Sequence, residues 1–380
     1  MQVVTQEFVK NKKVLLRYDI DVALKQGERG KGKGESQIAE DFKLRAGLPT
    51  LKLCLENASK VIVIGHLGRP ARNASHSDAG GPARHALQGV AGGPEGKVVE
   101  ELRVAPVVEW FKNHNLRSYI ESGKLVVLEN LRFDPREEAC DPGYAKELAS
   151  LGDVYINEAF SSYHSAVSTT IVPILLPHAC GLHFAEEVRV LGGVRDNPKK
   201  PFVAIMGGAK VADKLPVISV LAGKADAVLV GGKLIAEIKE QNLSLPKNVM
   251  VGMLNKDGFD IAPETVSAWS DLIRRSRMIV WNGPVGKIES QESRVKSQES
   301  EENLGSATGS YEIARMVLGS EAEVIIGGGD TVAFLGSIGM LEKFEEKGLP
   351  AGRQGFVSVG GGAMLNFLAD GTLPTIQVLD

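Results

Sequence analysis

The sequence predicts an α/β protein of two parallel-sheet lobes, and three observations carry that prediction. Short apolar runs rich in β-branched residues alternate with helix-compatible stretches along the chain. At 380 residues the chain is too long for one ordinary core. Polar and glycine-rich segments follow the apolar runs again and again, where open parallel sheets place their ligands.

The apolar runs come first. In the first half they are Val14–Leu16, Val61–Ile64, Leu125–Leu128 and Val154–Ile156. In the second they are Phe202–Met206, Ala227–Val230, Asn248–Val251, Met278–Trp281, Val324–Ile326 and Phe356–Val359. Continuous runs of this length read as strands buried on both faces, and their alternation with helices gives parallel sheets. The charged, helix-compatible segment Glu186–Asp196 stops at Asn197-Pro198-Lys199-Lys200-Pro201, where two prolines punctuate the chain. The predicted division is an N-terminal lobe over residues 1–183, an interdomain helix and linker over 184–200, and a C-terminal lobe over 201–365. A tail over 366–380 has the option of returning to the first lobe. The architecture is two Rossmann-like lobes joined by that helix.

Bulk composition excludes several classes. Hydrophobic residues make up 43% and charged residues 24%, the balance of a globular protein. A formal net charge of −3 gives no global attraction to nucleic acid or to an anionic membrane. No apolar run is long enough to span a bilayer, and Met1–Lys13 lacks a signal-peptide core, so a cytoplasmic protein is expected. Cys54, Cys140 and Cys180 offer neither a zinc spacing nor a disulfide framework, which fits a reducing compartment.

Three segments read as solvated loops: Gly30–Ser36, Ala71–Gly96, and Lys287–Asn303 with its repeated Ser-Gln-Glu-Ser. The second contains a decoy. Gly92–Val98 looks like a phosphate loop, but Ala91 stands at its required first glycine and Val98 at its Ser/Thr, and no strand precedes it.

In the first half, the residues after the runs are Arg17, Asp19 and Asp21; Gly65-His66-Leu67-Gly68-Arg69-Pro70; Glu129-Asn130-Leu131-Arg132; and Asn157–His164. Arginines and histidines at adjacent strand ends make a basic pocket in a mildly acidic protein, which implies a small polyanion as ligand. In the second half the same places carry Gly207-Gly208-Ala209-Lys210 through Lys214, Gly231-Gly232, Trp281-Asn282-Gly283-Pro284, Gly327-Gly328-Gly329-Asp330-Thr331 and Gly360-Gly361-Gly362. Glycines bring backbone amides close to phosphates, and a following helix N-terminus favours an anion. Lys210 and Lys214 share a helical face, and Asp330 is a candidate Mg²⁺ ligand.

These motifs, in this order, resemble the phosphoglycerate kinase family over most of the chain. The resemblance implies a hinged two-lobe monomer that moves a phosphoryl group between 1,3-bisphosphoglycerate with ADP and 3-phosphoglycerate with ATP, using Mg²⁺ and no phosphoenzyme. It implies acid binding by Asp19, Asp21, Lys43, His66, Arg69 and Arg132. It implies nucleotide binding by Gly208, Lys210, Lys214, Asn282, Glu289, Gly328, Gly329, Asp330 and Thr331, with Asp330 at the metal. Lys43, Lys210 and Gly361 stand at the transfer site.

The sequence also departs from the family pattern. Asp21 replaces a donating amide and repels an anion when ionised. Lys43 replaces the arginine at the transferring group, keeping charge but not the planar fork. Arg45 lies two residues on, about 200° round a helix, and points away. Ser165 replaces an arginine on the substrate phosphate, and Arg136, four residues beyond Arg132, is a candidate to compensate for the weakened acid-binding lobe. On the nucleotide side Ala262 and Lys233 replace glycines. These changes keep two alternatives open: a non-catalytic nucleotide-binding relative, and a kinase for a different small carboxylic acid.

Overall fold

A computed structural model describes residues 1–25, 37–69, 98–208, 211–286, 308–345 and 355–380, without the side chains of Asp213, Thr308 and Glu345. The three expected loops lie outside the described residues, as do Lys210 and Glu289.

Contacts divide the chain into two compact units, Met1–Val188 with Leu373–Asp380, and Arg189–Thr372. The boundary at Val188 falls inside the helix Leu182–Asp196, which ends at the proline pair.

In the first unit five strands form a parallel sheet. They are β1 Lys13–Arg17, β4 Lys60–Ile64, β5 Leu125–Val127, β6 Val154–Asn157 and β7 His178–Cys180, in the order β5-β4-β1-β6-β7. A two-residue antiparallel pair, β2 Leu24–Lys25 with β3 Gln37–Ile38, stands apart. β1 pairs in register with both β4 and β6, Arg17 lying beside Ile64 and Asn157. The central strands are buried, as an all-parallel sheet covered on both faces requires.

In the second unit six parallel strands run β10-β9-β8-β11-β12-β13: β8 Phe202–Met206, β9 Ala227–Val230, β10 Val249–Val251, β11 Met278–Asn282, β12 Glu323–Gly327 and β13 Gly355–Ser358. The register aligns Met206, Asn282 and Gly327 at one edge. Every apolar run named above therefore forms a strand. The strands not anticipated are β7 and the β2–β3 pair, which are two or three residues long.

Among the described residues, no helix is long and apolar enough to cross a membrane.

Candidate active site

Parallel pairing brings the carboxyl ends of β1, β4, β5 and β6 to one edge of the first sheet, so the segments that follow them converge. Their packing is close. A Cβ at Gly65 would lie 2.6 Å from Ile20 Cγ1 and 2.9 Å from the Tyr18 carbonyl oxygen, so only glycine fits where the β4 segment crosses the β1 segment. Asn130, fully buried, ties the β4 and β5 segments together. Its Oδ1 accepts from the Leu67 and Arg132 amides, both at 3.2 Å, and its Nδ2 donates to the Leu67 carbonyl at 2.6 Å.

On this frame sit the expected acid-binding groups. Asp19 is nearly buried, and its Oδ2 accepts a short hydrogen bond from Ser161 Oγ. Lys43, at the start of the helix Phe42–Asn57, reaches the same spot. Its Nζ lies 3.5 Å from Asp19 Oδ1 and donates to Ser161 Oγ at 3.2 Å. Arg45 turns to Asp41, with Nε 2.9 Å from Oδ1. Arg132 donates from Nη1 to the Gly68 carbonyl at 2.7 Å, and it stands between two carboxylates, Asp21 Oδ2 at 3.8 Å and Glu138 Oε1 at 3.4 Å. The other Asp21 oxygen accepts from the Gly68 amide at 2.8 Å. Arg69 is exposed. His164 lies in the same field: partial burial, then Arg69 and Arg132, hold its pKa below the ordinary value. Asp19, Asp21, Lys43, Arg69, Arg132 and His164 thus share one edge of one unit.

His66 differs from the other expected ligands. It is buried, its Nδ1 lies 3.0 Å from Arg17 Nη2, and its Nε2 lies 2.8 Å from Glu137 Oε1. Both ring nitrogens have protein partners, so Arg17 and Glu137 fix the ring from its two sides. Arg136 is no substitute for an arginine at Ser165. Its guanidinium is held by Asp134 and Glu147 and lies over the Tyr144 ring, 4.5 Å from the centroid. Asn130, Ser161 and Glu137 were not singled out in the sequence. Each gains its role through a partner 63 or more residues away.

The second unit presents a different surface. At the carboxyl edge of its sheet, the Gly207 amide donates to the Asn282 carbonyl at 3.0 Å and the Gly208 amide to the Pro284 carbonyl at 2.7 Å. A Cβ at Gly207 would fall 2.1 Å from the Pro284 oxygen. Gly283 has φ +90°, and a Cβ there would lie 2.2 Å from the Gly207 oxygen. Thr331 Oγ1 accepts from the Gly283 amide at 2.7 Å, joining the loops after β11 and β12. Lys214 Nζ is cradled by the Gly207 carbonyl at 2.6 Å and Asn282 Oδ1 at 3.0 Å. Gly328, at φ +95°, precedes the helix Gly329–Ser337, whose first turn carries exposed Asp330. Gly361 opens the helix Gly361–Asp370, and a Cβ on it would stand 3.5 Å from Gly328 Cα. Helix starts and glycine amides at one sheet edge suit a string of phosphates.

A family model described as "Phosphoglycerate kinase" matches residues 4–251 and 245–371. The chain belongs to the phosphoglycerate kinase family. The phosphoglycerate kinase of Moorella thermoacetica is 32% identical, the match covering 98% of this chain and 97% of that protein. That of Roseiflexus sp. is 34% identical over 97% of this chain and 96% of the other. The solved structure of phosphoglycerate kinase from Coxiella burnetii superposes with a TM-score of 0.70 at 26% identity, covering 98% of this chain and 96% of that one. As a phosphoglycerate kinase family member the chain is a phosphotransferase with a carboxyl group as acceptor, acting on small molecules that include a nucleotide. Neither alternative reading gains support from these matches.

A metal is implied by the nucleotide chemistry. Among the described residues no three His, Cys, Asp or Glu side chains form a cage. Asp330 offers one exposed carboxylate beside glycine amides. That suits Mg²⁺, which keeps several waters and is held by one or two carboxylates together with substrate phosphates.

Proposed function

We propose that the chain catalyses the reversible transfer of a phosphoryl group between 1,3-bisphosphoglycerate with ADP and 3-phosphoglycerate with ATP, as a monomeric cytoplasmic enzyme. In this reading residues 1–183 hold the acid, residues 201–365 hold the nucleotide, and 184–200 link them. The gathering of Asp19, Lys43, Arg69, Arg132 and His164 at one sheet edge is the observation that supports it most.

Toward 3-phosphoglycerate, Arg69 and Arg132 supply guanidinium forks for its phosphate and carboxylate oxygens. Asp19 accepts from the substrate hydroxyl and anchors Lys43. Asp21 stands among the acid's ligands but brings a negative charge of its own. His66 supports the pocket from behind. Toward ATP or ADP, amides at Gly208, Gly328 and Gly329 and the ammonium of Lys214 receive phosphate oxygens, with Asn282 and Thr331 holding the loops. Glu289 is assigned to the ribose. Asp330 would hold Mg²⁺, which when bound neutralises charge on the nucleotide phosphates.

In the transfer, a carboxyl oxygen of 3-phosphoglycerate forms a bond to the γ-phosphorus as the bond to the β–γ bridging oxygen breaks, and ADP leaves. No proton has to move. The chain's task is positioning and charge neutralisation, shared by Lys43, Lys210 and the amide of Gly361.

A coupled steady-state assay tests this. Turnover requiring both 3-phosphoglycerate and MgATP is expected. Arg69→Ala is expected to raise the KM for the acid about 10–150-fold, the range for one lost charge-assisted hydrogen bond, and to leave the nucleotide KM alone. No turnover with purified wild type, or equal effects on both KM values, would overturn the reading.

A further inference from the structure

Behind the acid pocket the buried polar groups form one continuous chain. Arg17, the last residue of β1, is fully buried. Its Nη1 donates to the Tyr18 carbonyl at 2.7 Å, its Nε donates to Ser168 Oγ at 3.2 Å, and its Nη2 meets His66 Nδ1 at 3.0 Å. On the far side of the ring, His66 Nε2 meets Glu137 Oε1 at 2.8 Å. Glu137 is fully buried too. It accepts from Ser168 Oγ at 2.5 Å, and both its oxygens lie 3.2 Å from the Ser168 amide.

The chemistry of these groups fixes the direction of the chain. A guanidinium has donors and no acceptor, so His66 Nδ1 must accept from Arg17. The ring proton then sits on Nε2 and is donated to Glu137. The charged and titratable groups facing His66 are Arg17, Glu137 and Arg132, and Arg17 is faced in turn by Tyr155 and Asp19. Burial, then the Arg17 charge, hold the imidazole pKa below its ordinary value, against the upward pull of Glu137. The partners on its two nitrogens thus select the Nε2–H form of His66, and its surroundings disfavour a second proton.

Each member of this chain lies within five residues of a group that faces the pocket. Arg17 is two residues before Asp19, His66 three before Arg69, Glu137 five after Arg132, and Ser168 four after His164. Four segments that are distant in sequence thus share one buried junction, and Glu137 touches two of them directly. We propose that Glu137 is a positioning residue of the acid site: it fixes His66 as the neutral Nε2–H tautomer, and through His66 and Ser168 it sets the placement of the segments that carry Asp19, Arg69, Arg132 and His164. The proposal rests on the reading of that edge as the acid-binding site.

Glu137→Gln keeps the shape of the side chain and replaces one accepting oxygen with a donor. Glu137 receives Ser168 N–H, Ser168 O–H and His66 Nε2–H, and a glutamine cannot accept from all three while also pointing an amide hydrogen into them. The expected result is a rise in the KM for 3-phosphoglycerate of about tenfold or more, with the nucleotide KM unchanged. Ser168→Ala removes one link and is expected to move the same KM by less. Should Glu137→Gln fail to fold, two measurements remain: Ser168→Ala, and ring-nitrogen NMR of the wild type. In the latter, His66 is expected to show the Nε2–H tautomer and to titrate below its ordinary pKa. A folded Glu137→Gln with unchanged acid KM, equal loss toward both substrates, or a wild-type His66 that carries its proton on Nδ1 or titrates near its ordinary pKa would overturn the proposal. Arg69→Ala serves as the control. If it leaves the acid KM unchanged, the site reading has failed; if it raises that KM while Glu137→Gln does not, only the positioning role has failed.

Discussion

In the unit proposed to hold the acid, the groups assigned to the ligand are side chains, Arg69, Arg132 and Lys43, and the last two are held by other side chains: Asp19, Asp21, Glu138 and Ser161. In the unit proposed to hold the nucleotide they are mostly backbone amides, joined by Lys214 and Asp330 and placed by loops that interlock through Gly207, Pro284, Gly283 and Thr331. The buried groups with displaced titration described above, Arg17 and His66, belong to the acid unit, and so do Glu158 and His183. The difference teaches where each site is sensitive. A side-chain pocket is tuned by single changes of charge and by pH. A pocket built mainly from backbone depends less on single side chains, and more on loops that keep their close contacts.

The largest expected effect breaks the backbone side. Gly283→Ala places a Cβ 2.2 Å from the Gly207 oxygen, at a φ of +90°. Strain at such a backbone conformation alone costs about 1–3 kcal/mol, and the clash adds to it, so a loss on the order of 3 kcal/mol is expected. Chemical denaturation should show it, and the nucleotide KM should rise in whatever fraction folds. Wild-type stability in this variant would mean the loops are not interlocked as described.

A comparable effect should appear with pH, and in the acid unit. Glu158 is raised from 4.5 to about 7, by burial first, against the nearby His183 and the hydrogen bonds it accepts from Thr50 and from the His183 and Phe184 amides. The folded state therefore favours the protonated acid. Its contribution is fully present below pH 4.5 and is lost as pH rises toward 7, about 3 kcal/mol in all. Burial works against protonation of His183, but Glu187 and Glu158 outweigh it and raise its pKa, so its contribution is likewise lost as pH rises. Denaturation of wild type and Glu158→Gln at pH 5 and pH 8 should show the variant gaining on wild type as pH rises. A constant difference would sink the assignment.

Next comes Lys214→Ala, which removes one ammonium from the phosphate cradle. The nucleotide KM should rise about 10–150-fold, with the acid KM unchanged. The smallest effect is a gain. Asp21 accepts the Gly68 amide and faces Arg132, so it occupies with its own charge two donors that an acid substrate would use. Asp21→Asn should lower the acid KM about tenfold. A raised KM would show instead that the carboxylate accepts from the substrate.

Much of this was legible in the sequence. A strand buried on both faces has to be apolar throughout, so β1, β4, β6, β8, β9, β11 and β12 declare themselves. β7 does not, because His178–Cys180 is only three residues long, directly follows Pro177 and has a polar first member. The motif residues could be placed at strand ends. The junction beneath them could not. Glu137 lies in the charged run Arg136-Glu137-Glu138, which reads as a solvated surface, and nothing in that pattern says that the middle residue is fully buried against a histidine 71 residues away. The partners of His66 were hidden in the same way. A histidine beside two glycines and an arginine does not announce a buried guanidinium on one ring nitrogen and a buried carboxylate on the other. Periodicity reports which face is apolar, but it does not report which polar groups find each other.

The contact of Gly207 with Pro284 has a consequence for the history of such a chain. With 2.1 Å between a would-be Cβ and the proline oxygen, the smallest possible enlargement has to push apart the ends of two strands. Innovation in a lineage carrying this frame would be channelled to the other unit, where an aspartate or lysine can be exchanged without moving the main chain, and where new substrate preferences would first be written.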